Sequence, residues 1–214
     1  MNRQMLVLAS TSPRRVGLLR QLGIEFEVAD PGDAENSTSQ DPVTRVRDHA
    51  LCKVETVAKK YPDRLVVAAD TIVVLEGKIL EKPNSREEAK DMLRTLGGRM
   101  HRVVSAIALL EKNGHYMDIR TEETIVSMKK LSEEEIEAYV ATGEPMDKAG
   151  AYAAQGVGAV IIEKVDGCFY NVVGLPLSLL HVMLKKAGVN TLILWTKVIN
   201  HPRKKILHIL DYLP

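Results

Sequence analysis

The chain has 214 residues, 45% of them hydrophobic and 27% charged, with a formal net charge of +1. Such a length and balance describe one soluble globular domain, or one domain with an appendage, able to bury a sizeable core. The near-neutral charge excludes a global field for nucleic acid or an anionic membrane, so any anion site has to be local.

Met5 to Ala9 is an apolar run, too short for a signal peptide or a membrane span, and reads as a buried strand. It feeds into "LASTSPRRVGLLRQLG", Leu8 to Gly23, where a helix from Val16 to Leu22 is stopped by Gly23. Pro31 to Asp41 is polar and turn-rich, a loop. After Pro42, Val43, Val46, Ala50, Val54 and Val57 keep helical spacing, and Arg45, His49 and Lys53 share a neighbouring face. "RLVVAAD", Arg64 to Asp70, is a β-branched run ending in a carboxylate, and "TIVVLEGKIL" continues as a hairpin around Gly77. Ser85 and Glu88 form a capping box before a helix ending near Gly97. Two long strands follow, joined at Asn113-Gly114, a strong hairpin signal. Ser132 and Glu135 cap a helix running to about Ala141. "GAVIIEKVDGCFYNVV" reads as a second hairpin turning at Asp166-Gly167, and Pro176 opens a last helix to about Lys186, closed by Gly188. The result is an α/β protein with much antiparallel sheet. The division is a domain over 1–189 and a tail over 190–214 whose role stays open. Cys52 and Cys168 lack metal-ligand spacing and read as reduced thiols, which points to the cytoplasm.

Polar residues gather at element ends: Ser10 with Arg14 and Arg15, Glu35, Lys53, Asp70 with Thr71, and Lys82. "DKAGAYAAQG" adds Asp147, Lys148 and Gln155. Taken singly, each has a plain structural reading. The arginines suit a solvated first turn, Lys53 could pair with Glu55 or Glu87, Lys82 is a loop lysine and Gln155 a satisfied loop amide. Asp70 is different, because burying a carboxylate without partners is costly, so it needs a cation or a cleft. Together the groups share one logic. Helix N-terminal amides, two arginines and a serine suit phosphate oxygens, and two lysines add point charges. Glu35 and Asp70 are hard oxygen ligands for a cation such as Mg²⁺, which bridges phosphates and activates water. There is no Walker-type loop and no kinase motif set.

Four segments carry a resemblance to a known family: "LASTSPRRVGLLRQLG", "AADTIVVLEGKILEKPNSREEAKDMLRTLGGRMHRVVSAIAL", "EPMDKAGAYAAQGVGAVIIEKVDGCFYNVVGLPL" and the weaker "HALCKVETVA". The chain resembles the Maf family of nucleoside triphosphate pyrophosphatases, once called septum formation inhibitors, over nearly all but the tail. The resemblance implies a twisted mixed sheet with flanking helices and two lobes around a central cleft, as in inosine triphosphatase-like folds. It implies cleavage between the α and β phosphates, giving monophosphate and pyrophosphate, with a divalent metal, Mg or Mn. Asp70 matches the family's proposed general base, and Ser10, Arg14, Arg15, Lys53 and Lys82 match its phosphate-contacting positions. Glu35 matches its acidic loop position, with Asp33 as competitor in "PGDAENS", and Glu35 and Asp70 are the implied metal ligands. Arg14, Thr71 and Gln155 match positions tied to substrate choice. Gln155 tilts the reading to the branch acting on dTTP and UTP, since a carboxamide both donates and accepts toward their imide edge. The expected partner is a nucleoside triphosphate, with modified pyrimidine nucleotides as further candidates. Nucleic acid and membrane are not expected, and a homodimer stays open. The alternatives are a pyrophosphatase of 7-methyl-GTP or another non-standard nucleotide, and a nucleotide-binding cell-division regulator with little turnover.

Overall fold

A computed structural model describes residues 6–193 apart from 36 and 114. Met5 of the first predicted strand, Gly114 of the predicted turn and residues 194–214 of the predicted tail lie outside the described residues. Strand β1 (Leu6–Ala9) alternates between two buried faces. Helix α1 (Pro13–Gln21) begins at its proline, three residues before the first predicted helical position, because a residue without an N–H costs nothing at the first turn. Gly23 adopts a positive φ of 62° and turns the chain into β2 (Phe26–Ala29), a short strand the sequence reading does not assign. After the predicted loop comes α2 (Pro42–Ala58), capped by Asp41, whose carboxylate accepts from the Thr44 amide at 2.8 Å.

β3 (Val66–Leu75) corrects one expectation. The chain does not break at Asp70 but runs straight through it, and only then turns at Glu76-Gly77 into β4 (Lys78–Leu80). Ten alternating residues, pinned along their length to β5 (Met100–Glu111), hold the strand together across the carboxylate. Between them lies α3 (Arg86–Leu96), where the capping box is half-formed. Ser85 Oγ accepts from the Glu88 amide, while the Glu88 carboxylate accepts from the Asn84 amide instead. β5 pairs with β6 (Tyr116–Met128) in the expected long hairpin, and α4 (Glu133–Ala141) carries the full predicted capping box.

The second predicted hairpin is absent. β7 (Ile162–Asp166) pairs with β6, but after Gly167 the apolar "FYNVV" coils into α5 (Phe169–Val173). A local reason is Asn171, fully buried, whose amide donates to the Val103 carbonyl and the Thr124 hydroxyl at 3.0 Å each and ties the segment across the sheet. The last helix, α6 (Leu177–Lys186), ends as predicted before Gly188.

The described strands form one sheet in the order β2-β1-β3-β5-β6-β7, with β4 on the free edge of β3. β1 runs parallel to β2 and β3, and the other pairs are antiparallel. One face packs α1 and α6 through Leu19, Leu180 and Met183, and the other packs α2 through Val46, Ala50 and Val54. At the far end α3 and α4 close a third cluster on Val73, Val103 and Val126. The expected mixed sheet with flanking helices is therefore the observed architecture, and the cleft lies between the β1–α1 end and the α3–α4 end.

His101, at the start of β5, is 2% exposed, with Nε2 placed 2.7 Å from the Tyr152 hydroxyl and Nδ1 without a partner among the described residues. Burial pushes its pKa down to about 4. The unfolded ring titrates near 6.5, so between these values the unfolded state binds the extra proton and stability falls as pH drops. The loss is expected to reach about 3 kcal/mol near pH 4. In His101→Gln that component of the pH dependence disappears, which urea unfolding of both proteins at pH 7.5 and pH 4 reads directly.

Candidate active site

The cleft follows from sheet pairing. On the free edge of β3, β1 covers Val66 and Val67, and β4 covers Val73 to Leu75. Between these two partners the edge at Asp70 and Thr71 faces no strand among the described residues, and the two residues point to opposite faces. Asp70 lies on the face of Val66, Ala68 and Ile72, which is covered by α2. There it meets the polar stripe of that helix, because residues four apart share a helix side. Lys53 Nζ donates to Asp70 Oδ1 at 2.7 Å and also to Glu35 Oε1. His49 Nδ1 stands 3.1 Å from Asp70 Oδ2, and Arg45 Nη1 donates to Glu81 at 2.5 Å. Asp70 and Lys53 are buried, at 6% and 4% exposure, so this is a desolvated ion pair and not a surface one. Burial alone would raise the Asp70 carboxyl. The hydrogen bond from His49 and the charges of Lys53 and Arg15 outweigh it and bring the pKa down to about 2. The same hydrogen bond raises the pKa of His49 against the opposing effect of burial.

Thr71 faces the other way. Its hydroxyl lies 2.8 Å from Ser105 Oγ and receives Arg15 Nη2 at 3.4 Å, while Arg15 Nε donates to the Gly174 carbonyl at 3.0 Å. The guanidinium is thus aimed from α1 across the edge of β3 by the turn that ends α5. Ser10, buried where β1 ends, accepts from the Ser12 amide at 3.2 Å, and the Ser12 side chain makes no capping hydrogen bond to the first turn of α1. Arg14 spans the cleft, donating to the Asp147 carboxylate at 2.9 Å and to its carbonyl at 3.3 Å. Lys82, exposed at the mouth, pairs with none of the described residues.

Two adjoining cavities, of about 690 and about 490 Å³, make up the cleft, and Arg14, Arg15, Glu35 and Lys82 line both. Asp70, Thr71 and Gln155 line the larger, and Ser10 and Lys53 the smaller. Every residue singled out in the sequence thus reaches one continuous cleft. Lys53 pairs with Asp70 and Glu35, not with Glu55 or Glu87. Of the two acidic loop residues, Glu35 reaches Lys53, while Asp33 is exposed and lines the smaller cavity alone. The loop bearing Gln155 is held from behind: Glu144 accepts from the Gly158 amide at 2.7 Å and the Val157 amide at 3.2 Å. Gly156 suits this position because its φ of 68° lies in the left-handed region, and the Glu144 carboxylate stands against the side a Cβ would occupy. The residue the sequence reading left out of the site is His49. Its spacing of four from both Arg45 and Lys53 put it on the right helix face, yet the contact with Asp70 appears only once the helix is laid on the sheet.

One carboxylate oxygen each from Glu35 and Asp70 and one His49 nitrogen lie within 4.8 Å of one another. Two carboxylates with an imidazole, one of the carboxylates facing the open cavity, fit a divalent cation.

A model of the family described as Maf-like protein matches residues 5–187 of the chain. The dTTP/UTP pyrophosphatase of Dictyoglomus thermophilum is 44% identical over 189 residues, 87% of this chain and 98% of the relative. The dTTP/UTP pyrophosphatase of Pelotomaculum thermopropionicum is 48% identical over 188 residues, again 87% of this chain and 98% of the relative. Among solved structures, the Ham1 protein of Staphylococcus aureus is similar with a TM-score of 0.44 and 16% identity, over 74% of this chain and 79% of that one.

Replacing Lys53 by Met removes a charge and a hydrogen bond from Asp70 but leaves it buried. The Asp70 carboxyl, followed by carbon NMR, is expected to titrate near 2 in the wild type and about 1–3 units higher in Lys53→Met. An unmoved midpoint would mean that His49 and Arg15 hold the carboxylate without the lysine.

Proposed function

The chain belongs to the Maf-like protein family, and from that premise we propose that it hydrolyses dTTP and UTP to the monophosphate and pyrophosphate. The observation that carries the reading is the convergence of Arg14, Arg15, Lys53 and Lys82 on a cleft whose floor is an ionised, buried carboxylate. A polyphosphate brings the negative charge this cleft is built to receive. The relatives of 44–48% identity named dTTP/UTP pyrophosphatase support the substrate class.

The division of labour follows from position. Arg14, Lys82 and the uncapped first turn of α1 bind phosphate oxygens along the overlap of the two cavities, and Ser10 does so in the smaller one. Arg15, fixed by Gly174 and Thr71, points its charge at the phosphates without rotamer freedom. Lys53 is committed to Asp70 and Glu35 and acts on the phosphates as a neighbouring positive charge. Asp70, with its pKa near 2, stays ionised across the neutral range and serves as the acceptor that orients water for attack on phosphorus. Glu35 and Asp70, with Mg²⁺ or Mn²⁺ as the candidate ion, would hold a divalent cation. When bound, the cation supplies neutralisation of phosphate charge and lowers the pKa of coordinated water. Lys53 and Arg15 already balance the two carboxylates, so the positive charge the reaction still needs is matched to what the triphosphate brings. Gln155 faces the larger cavity, where its amide reads the imide edge of thymine or uracil. The two free cysteines accord with a reducing compartment, the cytoplasm, and no helix among the described residues is long and apolar enough to cross a membrane.

Asp70→Asn keeps the size of the side chain but loses its charge. Pyrophosphate release from UTP is expected to fall about 10²–10⁴-fold with the far-ultraviolet circular dichroism unchanged, and a loss under about threefold would remove Asp70 from the reaction.

Gln155→Glu replaces a donor by an acceptor opposite a base carbonyl. The cost of about 1–3 kcal/mol corresponds to a roughly 5- to 150-fold loss for dTTP and UTP relative to a purine triphosphate. The ratio of kcat/KM for UTP and GTP measures it, and a uniform fall with the ratio unchanged would reduce Gln155 to a support of its loop.

A further inference from the structure

The loop that carries Gln155 is fixed from outside the cleft. None of the described residues hydrogen-bonds the Gln155 side chain, so the direction of its amide is set by the backbone that bears it. That backbone closes on itself. At Gly158 a Cβ would stand 2.5 Å from the Ala153 carbonyl oxygen and 2.9 Å from the Ala153 nitrogen, so a side chain there would push the two ends of the loop apart. Both ends are bound to one carboxylate. Before Gln155, the Ala153 amide donates to the Tyr139 hydroxyl at 3.1 Å, and that hydroxyl donates to Glu144. After Gln155, the Val157 and Gly158 amides donate to Glu144 directly, one to each carboxylate oxygen. Hydrogen bonds to an ionised acceptor are roughly twice as strong as neutral ones. Glu144 is in turn held by its own backbone: its amide donates to Thr142 Oγ1 at 3.1 Å, and its carbonyl accepts from Lys148 Nζ at 3.1 Å.

The single turn of helix that Glu144 opens, Glu144–Asp147, ends on the residue that holds Arg14. One end of this turn therefore fixes the Gln155 loop, and the other end meets a cation of the phosphate site. A nucleotide carries its base and its phosphates at a set separation. A group that reads the base discriminates only when it is held at the matching distance from the cations that grip the phosphates. Glu144 itself lines neither cavity of the cleft. We infer that Glu144 is a positioning residue for base selectivity, acting through the Gln155 loop by keeping it in register with the phosphate-binding side chains. The inference rests on the reading of the chain as a dTTP and UTP pyrophosphatase in which Gln155 faces the base, and it adds the residue that makes that contact selective.

The test uses the full chain and three readouts: kcat/KM for UTP, kcat/KM for GTP, and the inhibition constant of inorganic triphosphate, which has phosphates but no base. Glu144→Gln keeps the size of the side chain but sets an NH₂ group against a backbone N–H, and Glu144→Ala removes both acceptors. In each, KM for UTP is expected to rise and the UTP-to-GTP ratio of kcat/KM to fall about fivefold or more. The inhibition constant of inorganic triphosphate is expected to move by less than about twofold. In a Gln155→Ala background, Glu144→Gln is expected to change the ratio by less than about twofold, because a residue that acts through Gln155 has nothing left to position. Glu144→Gln guards against loss of fold in the alanine variant, which circular dichroism monitors. A ratio unchanged in both single variants overturns the inference. So does a further fall in the Gln155→Ala background, or a weakening of inorganic triphosphate in step with UTP, since either makes Glu144 a support of the cleft at large. A wild type that releases pyrophosphate from neither dTTP nor UTP overturns the proposed function itself, and the inference with it.

Discussion

A carboxylate buried at the middle of a sheet edge is the constraint to which the rest of this molecule answers. Asp70 cannot be ionised there without compensation, since transfer of a lone carboxylate out of water costs far more than a domain's net stability. The compensation comes from three directions: Lys53 and His49 above it on α2, and Arg15 from the opposite face of β3. Each donor is in turn fixed by something distant in sequence. Lys53 is shared with Glu35 of the loop before α2, His49 with the Ser37 carbonyl, and Arg15 with Gly174 at the end of α5. One ion pair thereby organises three connections that would otherwise be ordinary surface loops.

Sheet topology explains why the constraint is placed where it is. β3 is long enough to be paired at both ends, by β1 and by β4, while its centre is left uncovered on that edge. The polar groups of the cleft gather at this gap, where parallel β1 ends, its following helix starts, and the antiparallel hairpin begins. Open α/β sheets place ligand crevices at the carboxyl ends of their parallel strands for the same reason: adjacent connections diverge there. The short α5, held by Asn171, matters because it delivers the Gly174 carbonyl to Arg15.

Much of this was legible in the residues because the local signals are chemical. The Ser132 cap, the long hairpin and the Pro-to-Gly span of the last helix follow from turn and cap rules that act within a few residues. The site residues were legible as types in a pattern, and the family resemblance gave them a common purpose. What stayed hidden depends on distance. "FYNVV" has the β-branched and aromatic character of a strand, yet a buried amide bonding to two separate strands turns it into a helix, a case of tertiary contact overriding propensity. Asp70 looked like a strand terminus because a carboxylate is a poor strand-interior residue until a lysine from another element meets it. His49 was visible on the correct helix face, but nothing local says which strand that face will cover.

The link between Arg14 and Asp147 has a further consequence. Asp147 holds the guanidinium by its side chain and its own carbonyl, and Lys148 stands beside it, so a carboxylate of the protein stands where an external anion would bind Arg14. Any ligand seeking that arginine enters an exchange and not a vacancy. The carboxylate it displaces is not stranded, because Lys148 retains it. A singly charged small anion gains little by the trade, while a chain of phosphates that engages Arg14, Arg15 and Lys82 together wins through multiplicity. The cleft therefore sets a charge threshold for occupancy, built from an internal competitor, and the same competitor stands ready to reclaim Arg14 when the bound chain has been cut into shorter pieces.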